Sequence, residues 1–357
     1  MLDKKPLANS YCVYIYANAN ELIGFGHVMR QITLAIELKK LGVSITFIFS
    51  SMADMLLERL GKLGFECQEV APMSVLNIPS RGSLLIIDDY DVSSLKLSKE
   101  CPCIYPIICM DDNVEQIDYL FDAVIAPSDV LKPILMAKQV FQGIEFRFIR
   151  DEIKTAKTSS KCSNRVEGVS VTIMLGATDV QGLQLKVINV ISTDRRIARV
   201  NVVSTLRLSK DIEEVITANQ HIEIRYYQSP KKLGNIMSNS DIAICGAGGT
   251  LYEFLYLGIP TIAVTVADNQ LQAHSSELNS KAYFCVDASK DIMAAVALIK
   301  RQLDKLITSP FRRELMAKYA AKSVTGEGAK LIAKEVVRLL EEKRVKIDKH
   351  YDLREKS

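Results

Sequence analysis

The stretch of chain from Ile242 to Gln270 constrains the fold more than any other part of the sequence. It contains a short apolar run, a glycine-rich turn, an apolar run of helical length, a run rich in β-branched residues and a polar end. This order predicts a strand, a turn, a helix and a second strand, which is the unit that builds a parallel α/β sheet. The predicted elements are a strand at Ile242–Cys245, the turn Gly246-Ala247-Gly248-Gly249-Thr250, a helix at Leu251–Leu257, a strand at Thr261–Val266 and the loop Ala267-Asp268-Asn269-Gln270.

The glycine turn predicts a binding site for a diphosphate. Gly246, Gly248 and Gly249 carry no side chain, so backbone N–H groups can approach an anion, and the following helix directs the positive end of its dipole to the same place. Glycine in a strand-to-helix turn also serves tight packing alone. Both interpretations give the same local fold, and only the first predicts nucleotide binding.

Glu253 stands one turn into the predicted helix. If phosphates lie at the helix start, its carboxylate can accept hydrogen bonds from both hydroxyls of a ribose. Thr250-Leu251-Tyr252-Glu253 also matches a capping box, in which Thr250 is the N-cap and Glu253 accepts from its backbone N–H. Mutation separates the two, because loss of a cap costs about 1 kcal/mol of stability, whereas loss of a ribose contact weakens nucleotide binding and leaves folding nearly intact.

A second glycine turn follows the predicted strand Tyr11–Ala17. It contains Gly24, Gly26 and His27 and leads into a predicted helix that ends at Gly42. At a helix start the dipole disfavours the imidazolium form of His27, which leaves a neutral ring that can act as a general base near pH 7. A histidine that caps or packs beside the loop is the alternative.

The composition of the chain shows no nucleic-acid or membrane signature. The chain has 357 residues, 48% of them hydrophobic, which is enough for two domains with a hydrophobic core each. Its net charge of +3 is too small to indicate a basic groove that binds nucleic acid. No apolar run approaches the roughly 20 residues that cross a bilayer, and 1–6 contains no apolar signal core. We therefore predict a cytoplasmic protein without membrane insertion, cofactor or metal, with its eight cysteines reduced. A monomer is compatible with the sequence, which does not decide the oligomeric state.

Apolar runs alternate with helical patterns along the chain, which predicts two α/β domains with parallel sheets. The polar stretch 154–164 separates them in this interpretation. We place the first domain, with the His27 loop, at 1–160, the second at 165–325, and a C-terminal helix with a charged tail at 326–357. Two such domains facing each other would bring both glycine turns to one cleft.

Together these motifs resemble the UDP-2,4-diacetamido-2,4,6-trideoxy-β-L-altropyranose hydrolases of bacterial pseudaminic acid synthesis. The resemblance covers the chain from about Tyr14 to about Leu340 and implies two Rossmann-like domains of the GT-B type, with UDP bound by the second. It rests on Ile23-Gly24-Phe25-Gly26-His27-Val28-Met29-Arg30, Leu84–Tyr90, Cys109–Asp112, Glu145–Glu152, Met174–Asp179, Ala247–Glu253, Gly258-Ile259-Pro260, Ala267–Gln270 and Val324–Ala329.

The resemblance also implies roles for individual residues. The family's histidine that matches His27 is its catalytic base, and the residues that match Tyr90 and Asn269 line its sugar site. We therefore predict His27 as the catalytic residue and Glu253 as the ribose contact. The predicted substrate-binding residues are Gly24, Gly26, Arg30, Tyr90, Gly176, Gly248, Gly249, Thr250, Glu253, Asp268, Asn269 and Gln270.

The chain departs from the family pattern at four places. Tyr16-Ala17-Asn18 replaces an arginine and an aspartate, Asp89 stands where histidine is frequent, Pro127-Ser128 replaces an asparagine, and Ala177 replaces a glycine. The first three positions are where a sugar ring is expected, so the identity of the sugar is in question more than the nucleotide or the reaction.

The resulting hypothesis is a metal-independent hydrolase of a UDP-sugar. The second domain holds UDP, and His27 activates a water that attacks the anomeric carbon with inversion. Two alternatives stay open. One is a GT-B glycosyltransferase that passes the sugar of a UDP-sugar to an acceptor, and the other is a non-catalytic protein that binds a nucleotide sugar.

Overall fold

The computed structural model describes residues 11–20, 24–72, 78, 83–89, 106–110, 121–128, 130, 134, 137–159, 168–176 and 182–354, with the backbone alone at 269 and 344–354. The chain divides into two compact units. Unit 1 consists of Met1–Phe148 and Glu327–Ser357, and unit 2 is Ile149–Gly326.

Strands and helices alternate through both units. The described strands are β1 Cys12–Tyr16, β2 Ser44–Phe49, β3 Glu66–Glu69, β4 Ser83–Ile87, β5 Ile107–Met110, β6 Ala123–Ala126, β7 Val140–Gln142, β8 Val169–Met174, β9 Ile197–Ser204, β10 Glu223–Gln228, β11 Ile242–Gly246, β12 Thr261–Thr265 and β13 Tyr283–Asp287. The described helices are α1 Gly26–Lys40, α2 Asp54–Lys62, α3 Asp151–Ser159, α4 Leu183–Ile191, α5 Lys210–Ala218, α6 Leu233–Ser238, α7 Gly249–Leu257, α8 Gln272–Ser275, α9 Ile292–Thr308, α10 Pro310–Ser323 and α11 Gly328–Arg354. Single 3₁₀ turns lie at Ile144–Phe146 and Asp268–Gln270.

Unit 1 contains a parallel sheet of seven strands in the order β3-β2-β1-β4-β5-β6-β7. Every residue of β4 is buried, as expected for a parallel strand covered on both faces. Tyr16 pairs with Ile87 at the ends of β1 and β4. The loops that follow these two strands therefore leave the sheet side by side, which brings their side chains together at its carboxyl edge.

Unit 2 contains a parallel sheet of six strands in the order β10-β9-β8-β11-β12-β13. Its core includes Ile173, Ile244 and Val264 from three adjacent strands, together with apolar residues of the flanking helices. Because β8, β11 and β12 are neighbours, the loops after them share one edge of the sheet. Two α/β domains with parallel sheets are thus confirmed.

The C-terminal helix α11 belongs to unit 1. Its buried residues Ile332, Val336 and Leu340 join the core that also contains Leu34 of α1. At its start, a Cβ on Gly328 would lie 2.4 Å from the carbonyl oxygen of Arg147, so the close approach of the two backbones requires glycine there. The helix continues to Arg354, into the segment described from the sequence as a charged tail.

The boundary between the units differs from the predicted one. The stretch predicted as a polar separator begins inside α3, which packs on α6 of unit 2. A Cβ on Gly234 would lie 2.5 Å from the carbonyl oxygen of Glu152. This contact ties α3 to the second unit, so unit 2 begins at Ile149 rather than after residue 160.

In the part of the chain that the structure describes, no helix is both long enough and apolar enough to span a bilayer.

Candidate active site

His27 occupies the second position of α1 and is buried against the end of β4. Its Nδ1 lies 2.6 Å from Oδ1 of Asp88, the residue that directly follows β4. Asp88 is held in place because its backbone N–H donates to the carbonyl oxygen of Tyr16 at 2.9 Å. The prediction of a histidine at a glycine loop and helix start is confirmed, and the carboxylate beside it was assigned no role from the sequence.

Asp88 is fully buried and accepts hydrogen bonds from three side chains. Besides His27, Arg30 donates from Nε at 2.7 Å and from Nη2 at 2.5 Å, and Gln31 donates from Nε2 at 2.7 Å. Burial alone would raise the pKa of Asp88, but the charge of Arg30 and the hydrogen bonds from Arg30 and His27 outweigh it and hold that pKa well below its usual range. Asp88 is therefore an ionised carboxylate throughout the neutral pH range.

The contact with Asp88 fixes the tautomer of a neutral His27. An ionised carboxylate only accepts, so Nδ1 of His27 carries the proton and Nε2 carries the lone pair. A histidine oriented in this way by a buried carboxylate can take a proton at Nε2, while the carboxylate stabilises the imidazolium that forms. The arrangement is suited to general-base catalysis.

Arg30 was predicted to bind substrate, and the structure shows what its guanidinium contacts in unit 1. Nε and Nη2 both point to Asp88, and the side chain is 20% exposed. These contacts orient Asp88 and, through it, His27. A substrate contact of Arg30 stays a prediction.

A second polar cluster lies at the same sheet edge, centred on the buried Asn18. Its Nδ2 donates to Oδ2 of Asp89 at 2.6 Å and to the hydroxyl of Tyr16 at 3.1 Å, and its Oδ1 accepts from the backbone N–H groups of Ser50 and Ser51. Asn18 thus joins the loops that follow β1, β2 and β4. Two positions at which the chain departs from the family pattern, Asn18 and Asp89, contact each other.

The glycines of the first turn leave open space beside them. Gly24 has φ +83°, a left-handed conformation that favours glycine, and its N–H donates to the carbonyl oxygen of Asn20 at 2.8 Å. Among the described atoms, a Cβ added to Gly24 or Gly26 would meet nothing within 4 Å.

The glycine turn of unit 2 is also open. Gly248 is the N-cap of α7 and Gly249 its first residue, and a Cβ on either would meet no described atom within 4 Å. Tight packing therefore does not account for these two glycines. Gly176, which follows the neighbouring strand β8, is similarly open and has φ +107°.

The capping-box interpretation of Glu253 is wrong. The N-cap of α7 is Gly248 and not Thr250, because the helix begins earlier than its apolar residues indicate. The buried carboxylate of Glu253 instead accepts from both ends of the Arg150 guanidinium, with Nε at 2.6 Å from Oε1 and Nη2 at 2.5 Å from Oε2. Sequence reasoning gave no role to Arg150. A ribose contact of Glu253 stays a prediction.

The polar loop after β12 forms the 3₁₀ turn Asp268–Gln270. Oε1 of Gln270 accepts from the backbone N–H of Val266 at 3.0 Å, which closes the turn, and Asp268 is exposed. The side chain of Asn269 and the whole of Tyr90 lie outside the described residues, as does Ala177. Their predicted roles stay predictions.

Cys12, Cys67, Cys245 and Cys285 form no disulfide with one another. Burial raises the pKa of Cys12, Cys67, Cys245 and Cys285, the last to about 12, so these thiols stay protonated at neutral pH and are poor nucleophiles. Among the residues that the structure describes, no group of three His, Cys, Asp or Glu side chains could hold a metal ion.

Residues 171–336 match the Glycosyltransferase family 28 C-terminal domain. The chain is 24% identical over 280 residues to the UDP-2,4-diacetamido-2,4,6-trideoxy-β-L-altropyranose hydrolase of Campylobacter jejuni, an alignment that covers 76% of this chain and 97% of that protein. These matches confirm the resemblance found in the sequence. The chain is also 22% identical over 275 residues, 73% of its length, to an uncharacterized protein of Methanocaldococcus jannaschii, of which it spans 56%.

Solved structures with the same fold include MurG and a UDP complex of MnaA. MurG of Acinetobacter baumannii superposes with a TM-score of 0.64 at 11% identity, covering 92% of this chain and 99% of that one. S. aureus MnaA, solved with UDP, superposes with a TM-score of 0.59 at 10% identity, covering 93% and 97%. The chain has the GT-B fold.

Proposed function

We propose that this protein acts on a UDP-sugar and hydrolyses it to UDP and the free sugar, as the C. jejuni relative's name describes for its altropyranose substrate. The observation that carries the proposal is the buried His27–Asp88 contact at 2.6 Å, which leaves Nε2 of His27 able to accept a proton. The fold and the open glycine turn of unit 2 support UDP as the nucleotide.

In the proposed reaction, Nε2 of His27 takes a proton from a water whose oxygen attacks the anomeric carbon of the sugar. The bond between that carbon and the diphosphate oxygen breaks, and its electron pair leaves with UDP. Attack from the face opposite UDP inverts the anomeric centre. The N–H groups at the start of α7 are proposed to bind the diphosphate and to absorb its developing charge.

The sugar is proposed to be UDP-2,4-diacetamido-2,4,6-trideoxy-β-L-altropyranose or a close relative, consumed in the synthesis of pseudaminic acid or a related surface glycan. Asn18 and Asp89, which contact each other at this edge of the sheet, both stand at positions where the family pattern has other residues. A difference in substrate between this protein and the family would arise here.

The test incubates the purified protein with this UDP-sugar in ¹⁸O-labelled water, with a chelator and without an acceptor. Mass spectrometry and NMR should detect UDP and free sugar with the heavy oxygen on the anomeric carbon. Heavy oxygen on UDP would instead indicate attack at phosphorus and contradict the mechanism. Dependence on an added divalent ion would contradict metal independence.

A glycosyltransferase is the second candidate, and the match to the family 28 C-terminal domain favours it. A transferase uses the same donor contacts and passes the sugar to an acceptor hydroxyl instead of water. The experiment above distinguishes the two. Intact UDP-sugar without acceptor, followed by UDP release once candidate acceptors are added, would replace the hydrolase by a transferase.

A further inference from the structure

Arg150 forms an ion pair with Glu253, a predicted site residue of unit 2. Its guanidinium binds both oxygens of Glu253, and a third N–H group, from Nη1, donates to Oε1 of Glu152 at 3.2 Å. The Glu253 side chain is 6% exposed and that of Arg150 19%. The pair is thus formed largely away from solvent.

We propose that Arg150 is a positioning residue for nucleotide recognition, which holds the Glu253 carboxylate so that its free lone pairs accept the 2′- and 3′-hydroxyls of the ribose of UDP. This inference rests on the proposed function, because it takes UDP as the nucleotide. It extends that function to a residue that makes no contact with the ribose itself.

The hydrogen-bonding capacity of the carboxylate allows both partners at once. An ionised carboxylate offers about four lone-pair positions on its two oxygens. Nε and Nη2 of Arg150 take one position on each oxygen. Among the contacts of the described residues, one position remains on each oxygen, which matches a pair of neighbouring hydroxyl donors such as those of a ribose.

The position of Glu253 on α7 fits this use. The helix begins at the open glycines Gly248 and Gly249, where the proposed diphosphate binds, and Glu253 lies about one turn further along. A nucleotide with its phosphates at the helix start would carry its ribose in the direction of that turn.

The charge of Arg150 complements that of the Glu253 carboxylate. Burial lowers the pKa of Arg150, but the attraction of Glu253 outweighs this and raises that pKa above its usual value. Arg150 therefore remains a cation beside Glu253 at any pH at which the protein is folded.

The fork geometry of the guanidinium matters as well as its charge. A lysine at this position would provide one ammonium group, which cannot hold both oxygens in a fixed plane. The variant R150K therefore preserves the charge and relaxes the orientation. Arg196 provides a matched control in the same unit, because its Nε and Nη2 bind both oxygens of Asp194 at an exposed surface.

The test measures the affinity of the wild type, R150K, R196K and E253Q for UDP, 2′-deoxy-UDP and 3′-deoxy-UDP by titration calorimetry. We expect the wild type to prefer UDP over each deoxy nucleotide by about 10-fold, the value of one hydrogen bond to a charged group. E253Q and R150K should lose most of this preference, and R196K should keep it. With the UDP-sugar, R150K should raise KM and leave kcat unchanged, since it removes only binding that substrate and transition state share.

Each of the other possible results contradicts either the inference about Arg150 or the proposed function. If folded R150K keeps the wild-type preference for UDP, Arg150 has only a structural role and the inference is wrong. Wild-type protein that binds UDP and deoxy-UDP equally would also refute it, while leaving the proposed function intact. Failure of the wild type to bind UDP would refute both. If R150K does not fold, R150Q, which keeps Glu253 and removes the guanidinium, takes its place and must lose the preference for UDP; R150Q that keeps the preference would refute the inference.

Discussion

The two units each place an arginine–carboxylate pair at the carboxyl edge of a parallel sheet, but the two pairs differ in what else they bind. In unit 1, Asp88 is fully buried, and His27 and Gln31 share it with Arg30. In unit 2, the carboxylate of Glu253 is held by Arg150 alone among the contacts described above. The Arg30–Asp88 pair thus orients the ring of His27. The Arg150–Glu253 pair is proposed to present the remaining acceptor positions of the Glu253 carboxylate to a ligand. The first suits proton transfer, and the second suits recognition of hydroxyl groups.

The largest effect expected from this comparison is the loss of turnover in H27N. A positioned general base contributes roughly 100- to 10,000-fold to a rate, so kcat should fall on that scale while UDP affinity stays at the wild-type value. Stopped assays of UDP release and calorimetry with UDP measure the two quantities. His221, which is exposed, provides the control H221N, whose kcat should be that of the wild type. Wild-type turnover in folded H27N would remove His27 from catalysis.

The second prediction compares the loss of the Asp88 carboxylate with the loss of the Glu253 carboxylate. D88N removes the charge that stabilises the imidazolium form of His27, and we expect kcat to fall on the order of 100-fold or more, as loss of the orienting carboxylate does in Ser-His-Asp enzymes. E253Q should instead raise KM and leave kcat close to the wild-type value. Steady-state kinetics on both variants make the comparison. A D88N variant that changes only KM would erase the distinction between the two units.

D88N also leaves Arg30 beside a neutral amide in a buried setting. Breaking a buried ion pair from one side costs about 3–5 kcal/mol, so the urea midpoint of D88N should fall well below that of the wild type. The kinetic comparison is therefore made at a temperature at which circular dichroism shows D88N to be folded.

The third prediction uses two glycines that begin helices. G249A places a methyl group in open space and should leave the melting temperature unchanged, yet weaken UDP binding about 10-fold, which corresponds to 1.4 kcal/mol, if phosphate approaches that backbone. G328A places a Cβ against Arg147 and Phe146 and should cost about 1–3 kcal/mol of stability without changing UDP affinity. Thermal melts and UDP titrations give both results. Unchanged UDP affinity in G249A would count against the diphosphate site at this turn.

The sequence predicted the central strands well because their burial leaves a continuous apolar signal. The strand Ile242–Cys245, for example, was predicted within one residue of the bounds that the structure shows. β3 was not predicted, since all its residues, Glu66–Glu69, are exposed and carry no apolar pattern. Edge strands of this kind form through pairing with a neighbour, which a local pattern does not encode.

The candidate site was predictable where a single loop carries the signal. Glycine and histidine adjacent to a helix start pointed to His27, whereas Asp88 lies 61 positions away from it in the sequence and becomes its partner only because β1 and β4 pair. Arg150 and Glu253 are 103 positions apart. The capping box failed for a local reason, because α7 begins at Gly249, two residues before its first apolar residue Leu251, and its N-cap is Gly248.

The smallest expected effect is the dependence of the free energy of unfolding on acid pH. This dependence compares the buried Asp88 with Asp194, an aspartate in an exposed ion pair. The pKa of Asp88 in the folded state lies below the value of about 3.9 for an unfolded chain. Its ionised form therefore adds stability above that pH, and this contribution is lost as the pH falls toward the folded-state pKa. Hydrogen bonds from Arg196 lower the pKa of Asp194 in the same direction, but solvent screens that pair.

Urea unfolding from about pH 5 to about pH 3 tests this difference. The midpoint of the wild type should fall as the pH drops, that of D88N should fall less steeply, and that of D194N should follow the wild type closely. Equal slopes for the wild type and D88N would mean that Asp88 ionises alike in the folded and unfolded chain. Arg30 and His27 would then not stabilise the Asp88 carboxylate relative to its state in the unfolded chain.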